Sequence, residues 1–193
     1  MTLRPVIDKD RYFMLLALLA ATRSKDPSSN IGAIIVSPST EGDVVRSTGY
    51  NGFPAGVNDS ISVRYERPIK YLWFEHAERN AIYACARSGT STQGCRIYTN
   101  SIPCADCTRA IIQAGISHLF IALQWPTTFS QSVTADYNAK THIANMLQEA
   151  GIGLNALDMS NEAEIINAMR LRVANQQFVI TPSNTVVDTN PQS

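Results

Sequence analysis

The chain has 193 residues, of which 45% are hydrophobic and 17% charged. That is enough apolar sequence for one domain with its own core, and it excludes a disordered segment or a coiled coil. Its 16 basic and 16 acidic side chains cancel, so nothing advertises a sequence-blind grip on a phosphate backbone, and no nucleic-acid partner is expected.

Asp10 to Arg23 reads as a first helix, made of strong formers and ended by the Asp26-Pro27-Ser28 turn signal. Its apolar run, Phe13 to Ala21, is far shorter than the roughly 20 residues that cross a bilayer. Asp8 and Asp10 precede it, so a buried helix is expected rather than a signal peptide, with no membrane partner. Ile31 to Ser37 is a short β-branched run that reads as a buried strand, and Asp43 to Tyr50 as its hairpin return across a Glu41-Gly42 turn. Asn51 to Pro68 carries Gly52, Pro54, Gly56, Asn58, Asp59 and Pro68 and reads as a long loop, which in a small domain is usually functional.

Trp73 to Arg87 has a helical pattern, with Tyr71, Trp73 and Phe74 as an aromatic cluster for core or subunit packing. Cys95 to Ser101 reads as a strand, Cys104 to Ala114 as a helix closed by Gly115, and His118 to Leu123 as a strand. Val133 to Ala150 reads as a helix closed by Gly151, Ile152 to Leu157 as a fifth strand, and Asn161 to Asn175 as a last helix before a polar tail from Thr181. Repeated strand–helix–strand units imply an α/β fold, a single mixed five-stranded sheet sandwiched by helices. No internal repeat or linker interrupts it. The expected organisation is one domain over 1–193, with a core of about 10–157 and a C-terminal helix and tail over 158–193.

The four cysteines, Cys85, Cys95, Cys104 and Cys107, are too few for a disulfide scaffold. Reduced thiols and a cytoplasmic location are expected. Cys85 and Cys95 read as packing residues, and His118 and His142 as structural or surface residues. Cys104 and Cys107 form a CxxC pair behind Pro103, at a helix start where both thiols share one face and the helix dipole favours thiolates. His76-Ala77-Glu78 supplies a third ligand and a carboxylate. Residues 79–102 between the motifs leave room for one helix, one turn and one strand. Three ligands with no obvious fourth, beside an unused carboxylate, are the mark of catalytic rather than structural zinc. Zinc at His76, Cys104 and Cys107 would acidify a water, and Glu78 would move that water's proton to a leaving amine. HxE followed by PCxxC is the signature of zinc deaminases.

With these residues the chain resembles the deoxycytidylate deaminases of the zinc-dependent cytidine/deoxycytidylate deaminase family. The resemblance runs over about Asp10 to Leu157. Two further segments carry it: Ser24-Lys25-Asp26-Pro27 with Ile31-Gly32-Ala33, and Gly49-Tyr50-Asn51-Gly52-Phe53-Pro54-Ala55-Gly56, which is similar to the family's GYNGxPxG. It implies a cytidine deaminase-like α-β-α fold and hydrolysis of dCMP to dUMP and ammonia. It implies dCTP as activator and dTTP as inhibitor, bound with magnesium, and a homohexamer. By matching position it places Asn51 on the substrate's deoxyribose, Lys25 at the 5′-phosphate with Asp26 beside it, and the backbone near Ala77 and Ser101 at the base edge. Tyr50, Gly52, Phe53, Pro54 and Gly56 would form the regulatory site. Trp125 stands where many members stack a tyrosine on the base. The alternative is a zinc deaminase acting on another cytosine or adenine nucleoside, nucleotide or nucleic-acid base; a deaminase-like domain kept only for assembly is disfavoured by the intact Glu78.

Overall fold

The computed structural model describes residues 6–123, 137–160, 179–180 and 186–187. Residues 8–160 form one compact unit. Residues 1–7 and 161–193 form a second, in which β6 (Val179–Ile180) pairs antiparallel with β7 (Val186–Val187). The expected helix from Asn161, most of the tail and Trp125 lie outside the described residues.

The main unit follows the expected order: α1 (Lys9–Ala21), β1 (Gly32–Val36), β2 (Val45–Tyr50), α2 (Ala77–Ser88), β3 (Arg96–Thr99), α3 (Ala105–Gln113), β4 (His118–Leu123), α4 (Tyr137–Glu149) and β5 (Gly153–Asp158). The five strands make one mixed sheet in the order β2-β1-β3-β4-β5. β1 is antiparallel to both β2 and β3, whereas β3, β4 and β5 run parallel, as crossovers through α3 and α4 require.

Side-chain alternation sorts the helices onto the two faces. Ala33, Ile35, Ile97 and Leu119 join Ala77, Ala81, Ile111, Ile143 and Leu147 in one core, which places α2, α3 and α4 together. α1 covers the opposite face, where its Phe13 meets Tyr98, which stacks on Phe120. Asp8 caps α1 by accepting from the Arg11 N–H at 2.9 Å. Two glycines let helices touch strands directly. A Cβ on Gly32 would collide with the Ala17 carbonyl and lie 2.6 Å from the Ala21 nitrogen of α1. One on Gly49 would collide with the Ala77 carbonyl and lie 2.5 Å from the Ala81 nitrogen of α2. Among the described residues no helix is long and apolar enough to cross a membrane.

Two local expectations are corrected. The helix expected from Trp73 begins only at Ala77. The Glu75 carbonyl, which an earlier helix would need for the Arg79 N–H, accepts instead from Gly52 in a two-way backbone bridge, so the ladder opens with the His76 carbonyl accepting from Asn80. The loop expected over 51–68 contains a 3₁₀ turn, Ser62–Tyr65, followed by another at Ile69–Leu72. Phe53 packs against Tyr65, Trp73 and Phe74 and gives this stretch a small aromatic core of its own. Of the aromatic cluster before His76, Tyr71 is exposed in the single chain.

Candidate metal centre and active site

Two helix starts converge on one point. His76 is the N-cap of α2 and Cys104 the N-cap of α3, each with extended backbone, and Cys107 lies one turn further along α3. Gly49 holds α2 close to the sheet, and the C-terminal end of β3 leads into Pro103 and Cys104. Such strand ends are where open α/β sheets bind ligands. His76 Nδ1 lies 3.5 Å from Cys104 Sγ and 3.4 Å from Cys107 Sγ. Tetrahedral zinc with ordinary Zn–S and Zn–N bonds would place such a pair about 3.6 Å apart. All three donor atoms lie within 4.8 Å of one another, and they are the only such metal-competent group among the described residues. The donor set and its spacing therefore fit zinc, with three protein ligands where a catalytic site has three.

The electrostatics agree. The Cys107 thiol donates to Cys104 and, with His76, draws the Cys104 thiol down to about 3. His76 is held above its ordinary value by its hydrogen bond to Cys104. Cys107 is pushed up by that same contact with Cys104 and by burial. A divalent cation held by the trio would favour the thiolate form of both cysteines. Glu78, on the first turn of α2, is 3% exposed, and burial raises its carboxyl above the ordinary range. A buried carboxyl beside a metal-bound water is suited to take up a proton and return it.

Arg79 braces the two helix starts. Its Nε donates to Glu75 Oε1 at 2.6 Å, and its guanidinium lies 3.7 Å from Asp106 Oδ2, between the two cysteines in sequence. Glu75 Oε1 also accepts from the His76 N–H at 2.8 Å. Glu75 thus ties the zinc-ligand turn to Gly52 by backbone and to Arg79 by side chain. Neither Glu75 nor Arg79 stood out in the sequence, although their i,i+4 spacing is the usual sign of a helical ion pair.

The remaining expected site residues fall into three groups. Ala77 is buried at the first position of α2, and Ser101 is partly buried beyond β3. Asn51 and Asp26 are buried together: the Asn51 amide donates to Asp26 Oδ2 at 3.2 Å and to the Ser29 carbonyl at 2.9 Å, and its Oδ1 accepts from the Ile31 N–H at 2.8 Å. Lys25 is exposed and paired with Asp59 of the long loop at 2.6 Å. In the third group Tyr50 is exposed and its carbonyl accepts from Asn80 at 2.8 Å, Gly52 bridges Glu75, Phe53 sits in the aromatic cluster, and Pro54 and Gly56 lie exposed in a turn. The structure thus gathers His76, Glu78, Cys104 and Cys107, and separately Asp26 and Asn51, while Lys25 is turned to its loop partner. Lys70 was missed by sequence reasoning. It is 4% exposed and donates to both Asp26 oxygens, at 3.0 and 2.8 Å. Its only sequence signal is a lysine within an apolar and aromatic stretch.

Comparison with known proteins agrees with this geometry. Residues 7–123 match the family described as cytidine and deoxycytidylate deaminase zinc-binding region. A deaminase of Aliivibrio fischeri, known by its place in the luxG 3′ region, is 35% identical over 150 residues, which are 77% of this chain and 93% of that protein. Mouse deoxycytidylate deaminase is 42% identical over 113 residues, covering 56% of this chain and 61% of the mouse protein. The human enzyme matches at 41% with the same coverage, so the matched part spans under two thirds of these mammalian relatives. The structure of dCMP deaminase from cyanophage S-TIM5, with dCMP and dUMP bound, superposes with a TM-score of 0.59 at 22% identity, over 79% of this chain and all of that one. At that identity the likeness speaks for the fold. With the zinc-ligand trio and its buried glutamate in place, the chain belongs to the cytidine and deoxycytidylate deaminase family.

Proposed function

We propose that the protein hydrolyses dCMP to dUMP and ammonia. The observation that carries the reading is the convergence of His76, Cys104 and Cys107, beside a buried Glu78, in a chain that also holds the SKDP and GYNGFPAG segments. The similarity to mouse and human deoxycytidylate deaminases supports the choice of substrate. Zinc in the His–Cys–Cys site would lower the pKa of a water from about 15.7 towards 7 and so supply hydroxide at neutral pH. Glu78 takes that water's proton on its carboxylate and delivers it to the amine that leaves the pyrimidine. The pyrimidine carbon exchanges its C–N bond for a C–O bond, and ammonia departs. Asn51 binds the sugar, Lys25 exchanges Asp59 for the 5′-phosphate, Asp26 lies beside it, and backbone at Ala77 and Ser101 reads the base edge. Trp125 stacks on the base in this reading.

The same reading includes activation by dCTP and inhibition by dTTP, bound with magnesium at Tyr50, Gly52, Phe53, Pro54 and Gly56. The backbone bridge from Gly52 to Glu75, the residue before His76, supports a physical link from that segment to the metal site. A cytoplasmic homohexamer of single-domain chains completes it, and the exposed Tyr71 and Leu72 support an interface there. The test is ammonia release from dCMP, deoxycytidine, dCTP and a short cytosine oligonucleotide, with and without dCTP and dTTP at low dCMP. Turnover confined to dCMP and modulated by both effectors is expected. Preference for another substrate overturns the dCMP reading, and flat effector curves overturn the regulatory one. Mass measurement in solution tests the hexamer.

A further inference from the structure

Lys70 is the buried cation that the chemistry above leaves without a task. A buried ion pair often adds no stability over an apolar pair of equal volume, which turns attention to what this one positions. Lys70 Nζ spends its three donors on Asp26 Oδ1 at 3.0 Å, Asp26 Oδ2 at 2.8 Å and Ser28 Oγ at 2.7 Å. Asp26, kept ionised by this cation, can only accept. It takes one Asn51 amide hydrogen at 3.2 Å, and the Ser29 carbonyl takes the other at 2.9 Å. The Ile31 N–H occupies one lone pair of Asn51 Oδ1 at 2.8 Å. Of the four hydrogen-bonding capacities of Asn51, one remains, and it is an acceptor lone pair.

We propose that Lys70 and Asp26 are positioning residues that lock in place an Asn51 side chain whose free valence is an acceptor, so that it selects a substrate by a hydroxyl that donates to it. This rests on the reading that Asn51 meets the sugar. A donor hydroxyl on the sugar, the 3′-OH of a deoxynucleotide, fits such a group, and an analogue lacking it leaves the acceptor unpaired. Loss of the ion pair leaves the Ile31 N–H and the Ser29 carbonyl to set the amide's polarity but releases its third anchor, Asp26, so the acceptor loses its fixed position. Lys70 stands on the turn six residues before His76, and Asp26 on the segment before β1, so the lock also fixes where these two stretches meet.

The experiment compares kcat/KM for dCMP and for 2′,3′-dideoxycytidine 5′-monophosphate in the zinc-loaded wild type, Asn51→Ala, Lys70→Met and the double variant Asp26→Asn/Lys70→Met. The wild type should lose about tenfold or more when the hydroxyl is absent. In Asn51→Ala the ratio should fall to about one, and in Lys70→Met to about threefold or less with zinc content unchanged. A purely structural role would lower both substrates together and keep the wild-type ratio, which overturns the lock. The double variant buries no unpaired charge and so tests the same ratio if Lys70→Met fails to fold. Wild-type protein that does not turn over dCMP would instead overturn the substrate reading, and this inference with it.

Discussion

Glu78 and Asp26 are both buried carboxyls, and their surroundings send them in opposite directions. Glu78 has burial as its leading influence and no buried cation hydrogen-bonded to it, so its carboxyl rises. Glu78→Gln removes proton transfer while leaving the zinc ligands intact; kcat should fall about 10²–10⁴-fold with unchanged zinc content, and a variant that stays active would refute the role. At Asp26 burial would also raise the carboxyl, but hydrogen bonds from Lys70 and Ser28 outweigh it and the group sits below its ordinary 3.8. A carboxyl lowered by folding stabilises the protein above its unfolded value, and that contribution disappears as pH falls through the folded one. In Lys70→Met the sign reverses: the unpaired carboxyl rises, so relative to wild type the variant should be less unstable at about pH 4 than at about pH 7 by urea unfolding. At pH 7 breaking the pair should cost about 3–5 kcal/mol. Lys25 carries a different expectation, because it is exposed and its partner Asp59 is exchangeable. Lys25→Ala should raise the KM for dCMP about tenfold and leave kcat and zinc content near the wild-type values, as a lost charged hydrogen bond to the 5′-phosphate would.

Single elements carry the site as rigid pieces. α2 places His76 and Glu78, α3 places Cys104 and Cys107, and the distance of α2 from the sheet is set at Gly49. Gly49→Ala must push α2 outward, because its Cβ would meet helix backbone rather than a yielding side chain. It should lose about 1–3 kcal/mol of stability and bind less than one zinc per chain. Gly32→Ala is the control: it strains α1 on the other face, so it should cost a similar amount while zinc is retained. Equal zinc content in both variants would mean that α2 is not held through Gly49. The late start of α2 belongs to this scale too. Residues 73–75 have a helical pattern, yet the Glu75 carbonyl is committed to Gly52, and a committed acceptor outranks propensity.

For the whole molecule, zinc in the His–Cys–Cys site would add a second tie between two helix starts that Arg79 already braces. Chelation should therefore lower stability as well as activity. For tight binding with about 4 kcal/mol of linkage, Tm should drop by roughly 10 °C in calorimetry of zinc-loaded and stripped protein, and an unchanged Tm would contradict the tie. Much of this was legible in the residues. The order of strands and helices followed from hydrophobic period and turn chemistry, because each depends on neighbours close in the chain. The metal ligands were legible because CxxC and HxE are local patterns whose chemistry has few other uses. Tertiary structure alone decided the rest. The meeting of Lys70 with Asp26 joins residues 44 apart in sequence, and that of Asn51 with Ile31 joins residues 20 apart. No local period encodes such a pairing; it arises when two segments desolvate together and must satisfy each other's polar groups. The same holds for Arg79 reaching Asp106, and for Lys25 resting on Asp59. By itself the sequence determined which groups could do the chemistry. The fold decided which of them are buried, which are partnered, and which single lone pair Asn51 has left to offer.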